Sequence, residues 1–251
     1  MANPGIVKFE PHGPEGPGLV EWDPIDPEEI ESGSPVQRGH IYHEVADAGY
    51  MAGVWDCTAM TLKFSPYPVH EFMFLLEGSV TLVLENGDEV TVDAGQSFVI
   101  PKGLPCQWVQ PGYVRKFFVI FEDPGVACGD NVSDQGVIVP EATTELSPMD
   151  IPDSSVYIGA TPELANRTYF DDPSGQMHVG IWATSASDRH PVTFPRNELM
   201  CILDGSVSLT GDDGREQMIR AGEAVYVSKG AKMRWQNAGP VRKIYAIYDP
   251  A

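Results

Sequence analysis

One interval governs what this chain can fold into. Gly53-Val54-Trp55 returns as Gly180-Ile181-Trp182, Glu71 as Glu198, Gly78-Ser79-Val80 as Gly205-Ser206-Val207 and Lys102-Gly103 as Lys229-Gly230. Trp108 returns as Trp235 and Val114-Arg115-Lys116 as Val241-Arg242-Lys243, and every pair is 127 residues apart. The turn glycines Gly87 and Gly95 keep the same step to Gly214 and Gly222. An ungapped offset of this kind marks a duplicated domain, so residue n of the first half should superpose on residue n+127 of the second.

Inside each half the pattern is short and β-like. Phe72 to Leu84 and Glu89 to Val99 are runs rich in β-branched and aromatic residues, and Asn86-Gly87 between them is a hairpin signal. No segment keeps a helical period. The expected fold is all-β, two tandem barrels over residues 34–123 and 161–251. Residues 1–33 hold prolines 4, 11, 14, 17, 24 and 27 and form an extended arm, anchored through Phe9 and Trp22, with room for one helical turn at Asp26-Pro27-Glu28-Glu29. Residues 124–160, rich in Pro, Gly, Asp and Ser, form a linker and leader with a single strand at Gly136 to Val139.

Composition narrows the partners. Sixteen basic against 36 acidic side chains give a net charge of −20, which repels nucleic-acid phosphates and anionic membranes. The N-terminus lacks the basic and apolar regions of a leader, and no apolar run is long enough to span a bilayer, so a cytoplasmic protein is expected. Cys57, Cys106, Cys128 and Cys201 are widely separated, contain no CxxC pair and read as reduced thiols.

The motifs GVWDCT (Gly53 to Thr58), LLEGSV, PKG with Trp108 five residues on, and VRK resemble the cupin superfamily. Within it, the chain is similar to the subgroup that includes ethanolamine-utilisation cupins and (S)-ureidoglycine aminohydrolase. The resemblance implies double-stranded β-helix (jelly-roll) barrels, a manganese site in one barrel, and a lysine near a ureide substrate. Glu71 or Glu198 falls in the metal-motif strand, and Lys116 or Lys243 falls near the substrate lysine. The chain departs from the motif at the other ligands. No histidine lies in Phe64 to Val69, and Cys106 or Met233 stands at the later ligand position. A divalent metal, if bound, would draw on Glu71 and Cys106.

Strand alternation puts Glu71, Met73 and Leu75 on one face, and the resemblance makes that face the barrel interior. A carboxylate there needs a cation, a donor or a proton, and Lys116 is the natural partner. Trp108 and Cys106 share a strand face and can wall the cavity. Cys106 is either a nucleophile or a buried inert thiol. Arg115 or Lys116 can clamp an anion, though neighbours on a strand split between faces. Tyr67, Met73 and Arg115 join Trp108 as candidate substrate contacts. Glu198, Trp235, Lys243 and Tyr245 are the second-barrel candidates.

His70, next to Glu71, is expected on the opposite face as a surface or interface histidine, and His190 on a loop. His43, Tyr67, His70, Pro101 and Cys106 of the first half face Phe170, Phe194, Asn197, Ser228 and Met233 of the second. That contrast makes the first barrel the expected working one. Two functions follow from these residues. One is a small-molecule enzyme acting on an amino-acid- or ureide-like metabolite, with Glu71 as acid or base. The other is a metal-free, non-catalytic bicupin that binds a metabolite or plays a structural part. A homodimer is the expected assembly.

Overall fold

The computed structural model describes residues 5–123, 136–151 and 153–250. Cys128 and the body of the expected linker lie outside the described residues. The chain divides into two compact units, Phe9–Pro140 and, for the other, Glu141–Ala251 joined by the N-terminal residues up to Lys8.

Eight principal strands build the first unit: β1 (Gln37–Val45), β2 (Tyr50–Cys57), β3 (His70–Glu77), β4 (Ser79–Leu84), β5 (Glu89–Asp93), β6 (Ser97–Ile100), β7 (Pro105–Gln110) and β8 (Val114–Phe121). Eight more build the second: β9 (Leu164–Asp171), β10 (Met177–Thr184), β11 (Asn197–Asp204), β12 (Ser206–Gly211), β13 (Glu216–Arg220), β14 (Ala224–Val227), β15 (Lys232–Asn237) and β16 (Val241–Tyr248). From β2/β10 through β8/β16, both ends of each strand keep the 127-residue step. In each unit two antiparallel sheets face each other. The first has β6-β3-β8-β2-β1 opposite β5-β4-β7, and the second has β14-β11-β16-β10-β9 opposite β13-β12-β15. Helix is confined, among the described residues, to the 3-10 turns Ala46–Ala48 and Ser154–Val156.

The run expected as Phe72 to Leu84 is two strands in different sheets. At Gly78 (φ 81°) the chain crosses from one sheet to the other, and a Cβ there would lie 2.1 Å from the Tyr113 carbonyl oxygen. Gly205 repeats this at φ 80°, with the Pro240 carbonyl oxygen 2.2 Å away. Only glycine fits a left-handed crossover so close to backbone. The Asn86-Gly87 hairpin forms between β4 and β5 as the sequence implies.

The arm is anchored, and its pieces go to different places. Ile6–Phe9 is a strand beside β14, whereas Trp22 packs edge-on against Phe118 of the first barrel. Asp26 caps a single turn by accepting the Glu28 amide at 2.9 Å. Ile138 bridges to Val99 on β6, where the short linker strand was expected.

The barrel interiors are apolar. Met73, Leu75, Leu82, Phe98, Ile100 and Trp108 anchor the first core, and Met200, Ile202, Leu209, Val225, Val227 and Trp235 the second. Leu82, Phe98 and Met73 correspond to Leu209, Val225 and Met200, so the two cores are variations on one packing scheme.

Candidate functional site

Both barrels bury one lysine–glutamate pair. In the first, Lys116 on β8 and Glu71 on β3 reach each other across the sheet, with Lys116 Nζ 2.7 Å from Glu71 Oε1. The ammonium also lies 3.0 Å from Met73 Sδ, and it sits over the rings of Trp55 at 4.8 Å and Trp108 at 5.0 Å. In the second, Lys243 Nζ is 2.6 Å from Glu198 Oε1 and 3.2 Å from Met200 Sδ, over Trp182 at 5.0 Å and Trp235 at 5.3 Å. A buried ion pair loses hydration on both partners, and close pairing with ring faces on the cation offsets part of that loss. The wall tryptophans are themselves held. Trp108 Nε1 donates to Gln110, which spans to the Cys57 and Thr58 carbonyls, and Trp235 Nε1 donates to Asn237.

Around this shared quintet the barrels differ. In the first, the Tyr67 hydroxyl donates to Glu71 Oε2, so both carboxylate oxygens are engaged. Burial, and then the Glu71 charge, push the Tyr67 hydroxyl well above the ordinary tyrosine value. Phe194 takes the tyrosine's place in the second barrel. There, Arg196 Nε lies 3.5 Å from Glu198 Oε2, and the Arg189 guanidinium sits over Tyr157, Trp182 and Trp235 at 5.1, 5.7 and 5.8 Å. Burial pushes the Lys243 ammonium below its ordinary value, a shift that Glu198 opposes and Arg196 and Arg189 reinforce.

The remaining candidates fall as follows. Arg115 faces away from Lys116. It donates to the Tyr113 hydroxyl at 2.6 Å and pairs with Glu77 at 3.5 Å, so it is not a cavity contact. Cys106 is buried in the first core, and burial pushes its thiol up to about 11. That direction disfavours the thiolate a nucleophile or metal ligand would use. Tyr245 packs over Gly180, where a Cβ would lie 2.3 Å from its oxygen.

For His70, expected at the surface or an interface, the surface half of the expectation is corrected. The residue is buried, and its Nδ1 accepts the Lys102 amide at 3.0 Å. Asn197 Oδ1 accepts the Lys229 amide at 3.0 Å in the same way. The His/Asn difference therefore fills one structural post, closing the turn after β6 or β14. His190 is exposed, as its loop position implies.

Arg189, Arg196 and Tyr157 escaped the sequence reading. Subtracting 127 would have found them, because their first-half counterparts are Leu62, Val69 and Ile30.

The donor set does not fit a cupin metal. The one carboxylate in each site is already paired with an ammonium, which occupies the cation's side of Glu71 or Glu198. Cys106, whose burial disfavours the thiolate, and Met233 stand at the later ligand position.

A family model described as EutQ-like cupin domain matches the chain twice, over residues 46–118 and 171–245. No curated protein matches it. Among solved structures, it is similar to a protein of unknown function from Pseudomonas syringae pv. tomato, of the DUF861 family. The two are 25% identical over 97% of this chain and 99% of that one, with TM-score 0.78. The protein YlbA from E. coli is 15% identical, with 99% and 92% of the chains covered and TM-score 0.58. A mutant of salicylate 1,2-dioxygenase from Pseudoaminobacter salicylatoxidans is 11% identical, with 80% and 72% covered and TM-score 0.52. The last two likenesses concern the fold alone.

Proposed function

The chain belongs to the EutQ-like cupin domain family, and from that premise we propose that it is a small-molecule enzyme of the first barrel, working by proton transfer without a histidine-held metal. The observation that carries this reading is the chain of polar groups Lys116–Glu71–Tyr67. Lys116 and Glu71 are buried, whereas Tyr67 is partly exposed, so the chain runs from the sealed interior to a residue that reaches solvent. The phenol is kept protonated and can give its proton to a bound group, while Glu71 relays a replacement proton from the Lys116 ammonium, so that no phenolate persists beside the carboxylate. Phe194 breaks this chain in the second barrel.

The resemblance to ureidoglycine aminohydrolase supports an amino-acid- or ureide-like substrate class. Manganese-dependent hydrolysis is not part of the proposal, because the donor set does not fit it.

A second reading is favoured by the recurrence of the quintet. Lysine, glutamate, methionine and two tryptophans appear at the same separations in both barrels, as expected of a structural core. Tyr67→Phe separates the two readings, since Phe194 already shows that the position accepts phenylalanine. In a screen of amino-acid amides and ureides, the proton-transfer reading expects wild-type turnover that falls at least a hundredfold in Tyr67→Phe. No turnover in wild type, or turnover unchanged in the variant, favours the non-catalytic reading.

A further inference from the structure

Around its buried pair the second barrel gathers more positive charge than its one carboxylate balances: Lys243 is buried, Arg189 half-buried and Arg196 exposed. Lys243 and Arg196 both lie on Glu198, and Arg189 stands near enough to feel its charge. Glu198 is committed to Lys243 at 2.6 Å, and Arg196 approaches its other oxygen at 3.5 Å. Arg189 has no ion pair among the described residues, and its buried Nε lacks a hydrogen-bond partner. It is instead ringed by the faces of Tyr157, Trp182 and Trp235. Ring faces attract a guanidinium but cannot satisfy its N–H groups, and an unmet buried donor is costly.

The first barrel shows that the fold has no need of this arginine. Tyr157 pairs with Arg189 in the backbone, and 127 residues earlier Ile30 pairs with Leu62 in the same way. One duplicated position thus carries an apolar pair in the first barrel and an aromatic–cationic pair in the second. Val69 stands where Arg196 does, and Leu62 packs on the first core. A half-buried cation and an exposed one beside it, which the scaffold can replace with leucine and valine, are placed for something that neutralises them.

We propose that the second barrel binds a small organic carboxylate, gripped by the Arg189 guanidinium within the Tyr157–Trp182–Trp235 cage and drawn in by Arg196 at the mouth. A planar guanidinium presents paired N–H donors that match a carboxylate, which favours this class over a spherical anion. Arg196 suits the entry role because its side chain is 45% exposed, whereas Glu198 and Lys243 are buried. The inference is independent of the proton-transfer reading, which concerns the first barrel.

The test uses the whole chain, with acetate as probe and acetamide as its neutral isostere, at constant ionic strength. Two readouts serve: the fluorescence of the cage tryptophans and the thermal midpoint. Wild type is expected to show saturable quenching and a rising midpoint with acetate but not with acetamide. Arg189→Leu, which installs the first barrel's own residue, is expected to keep or raise the ligand-free midpoint and to weaken acetate binding at least tenfold. Arg196→Val is expected to weaken binding severalfold. Because Arg196 is largely exposed, this variant tests the site even if Arg189→Leu misfolds. Acetate binding unchanged in both variants, equal responses to acetate and acetamide, or a response to inorganic phosphate alone would each overturn the proposal.

Discussion

The first barrel closes its charges and the second leaves them open. Lys116, Glu71 and Tyr67 form a chain in which each carboxylate oxygen has one donor. At the matching positions Lys243 and Glu198 keep their bond, Phe194 offers no donor, and Arg189 and Arg196 add two cations. Duplication preserved the quintet because it is part of the packing, and divergence came in the residues around it. The comparison shows that a repeated ion pair reveals little about function by itself. What surrounds each copy is more informative.

The largest expected effect comes from removing one lysine. Lys116→Met strands Glu71 in the first core and should cost about 3–5 kcal/mol in urea unfolding, the usual result of breaking a buried pair. Lys243→Met should cost measurably less, because Arg196 and Arg189 still face Glu198. Equal losses would break the comparison. Next come the crossover glycines. Gly78→Ala and Gly205→Ala should each cost about 1–3 kcal/mol from overpacking alone, with strain from the positive φ in addition. The two losses should match, since the clashes, 2.1 and 2.2 Å, are nearly the same. A smaller difference is expected for Tyr67→Phe, which removes one hydrogen bond to a buried carboxylate, about 1.5–3 kcal/mol. The reverse change, Phe194→Tyr, should leave stability within about 1 kcal/mol.

The smallest effect concerns the thiols. Burial pushes Cys57 and Cys106 up to about 11, so the folded chain holds those protons where the unfolded chain has lost them. Their contribution to stability is therefore complete below the ordinary thiol value and is lost as pH rises toward 11. In native alkylation mapped by mass spectrometry, Cys57 and Cys106 should stay unlabelled at pH 8. Rapid labelling there would show that the first core is open to reagent.

Much of the fold was legible because duplication acts on sequence directly. The offset and the hairpin at Asn86-Gly87 could be read from residue order, whereas alternation only put Glu71, Met73 and Leu75 on one face and the family resemblance made that face the interior. The crossover at Gly78 could not be read. Phe72 to Leu84 is apolar throughout, and only a three-dimensional clash distinguishes a crossover glycine from an ordinary turn. The Glu71–Lys116 contact was inferable from the cost of burying a lone carboxylate.

The cationic surroundings of Glu198 are not legible from strand alternation, because Arg189 and Arg196 replace Leu62 and Val69 outside the principal strands. One contrast between the halves, His70 against Asn197, turned out to be the same hydrogen bond made by two residue types. Arg189 sits outside the principal strands, among short ladder segments, where alternation gives no facing. Its direction becomes plain only when Tyr157, from the far side of the linker, pairs with it.

The claim that the barrels share a core but differ in open charge meets its most direct test in calorimetric titration of acetate into wild type, Glu198→Gln and Glu71→Gln. Glu198 competes with any carboxylate for Lys243 and Arg196, so removing its charge should tighten acetate binding severalfold, at a stoichiometry of one per chain. Glu71→Gln should leave that affinity unchanged. Two acetates per chain, or equal changes in the two variants, would contradict the account.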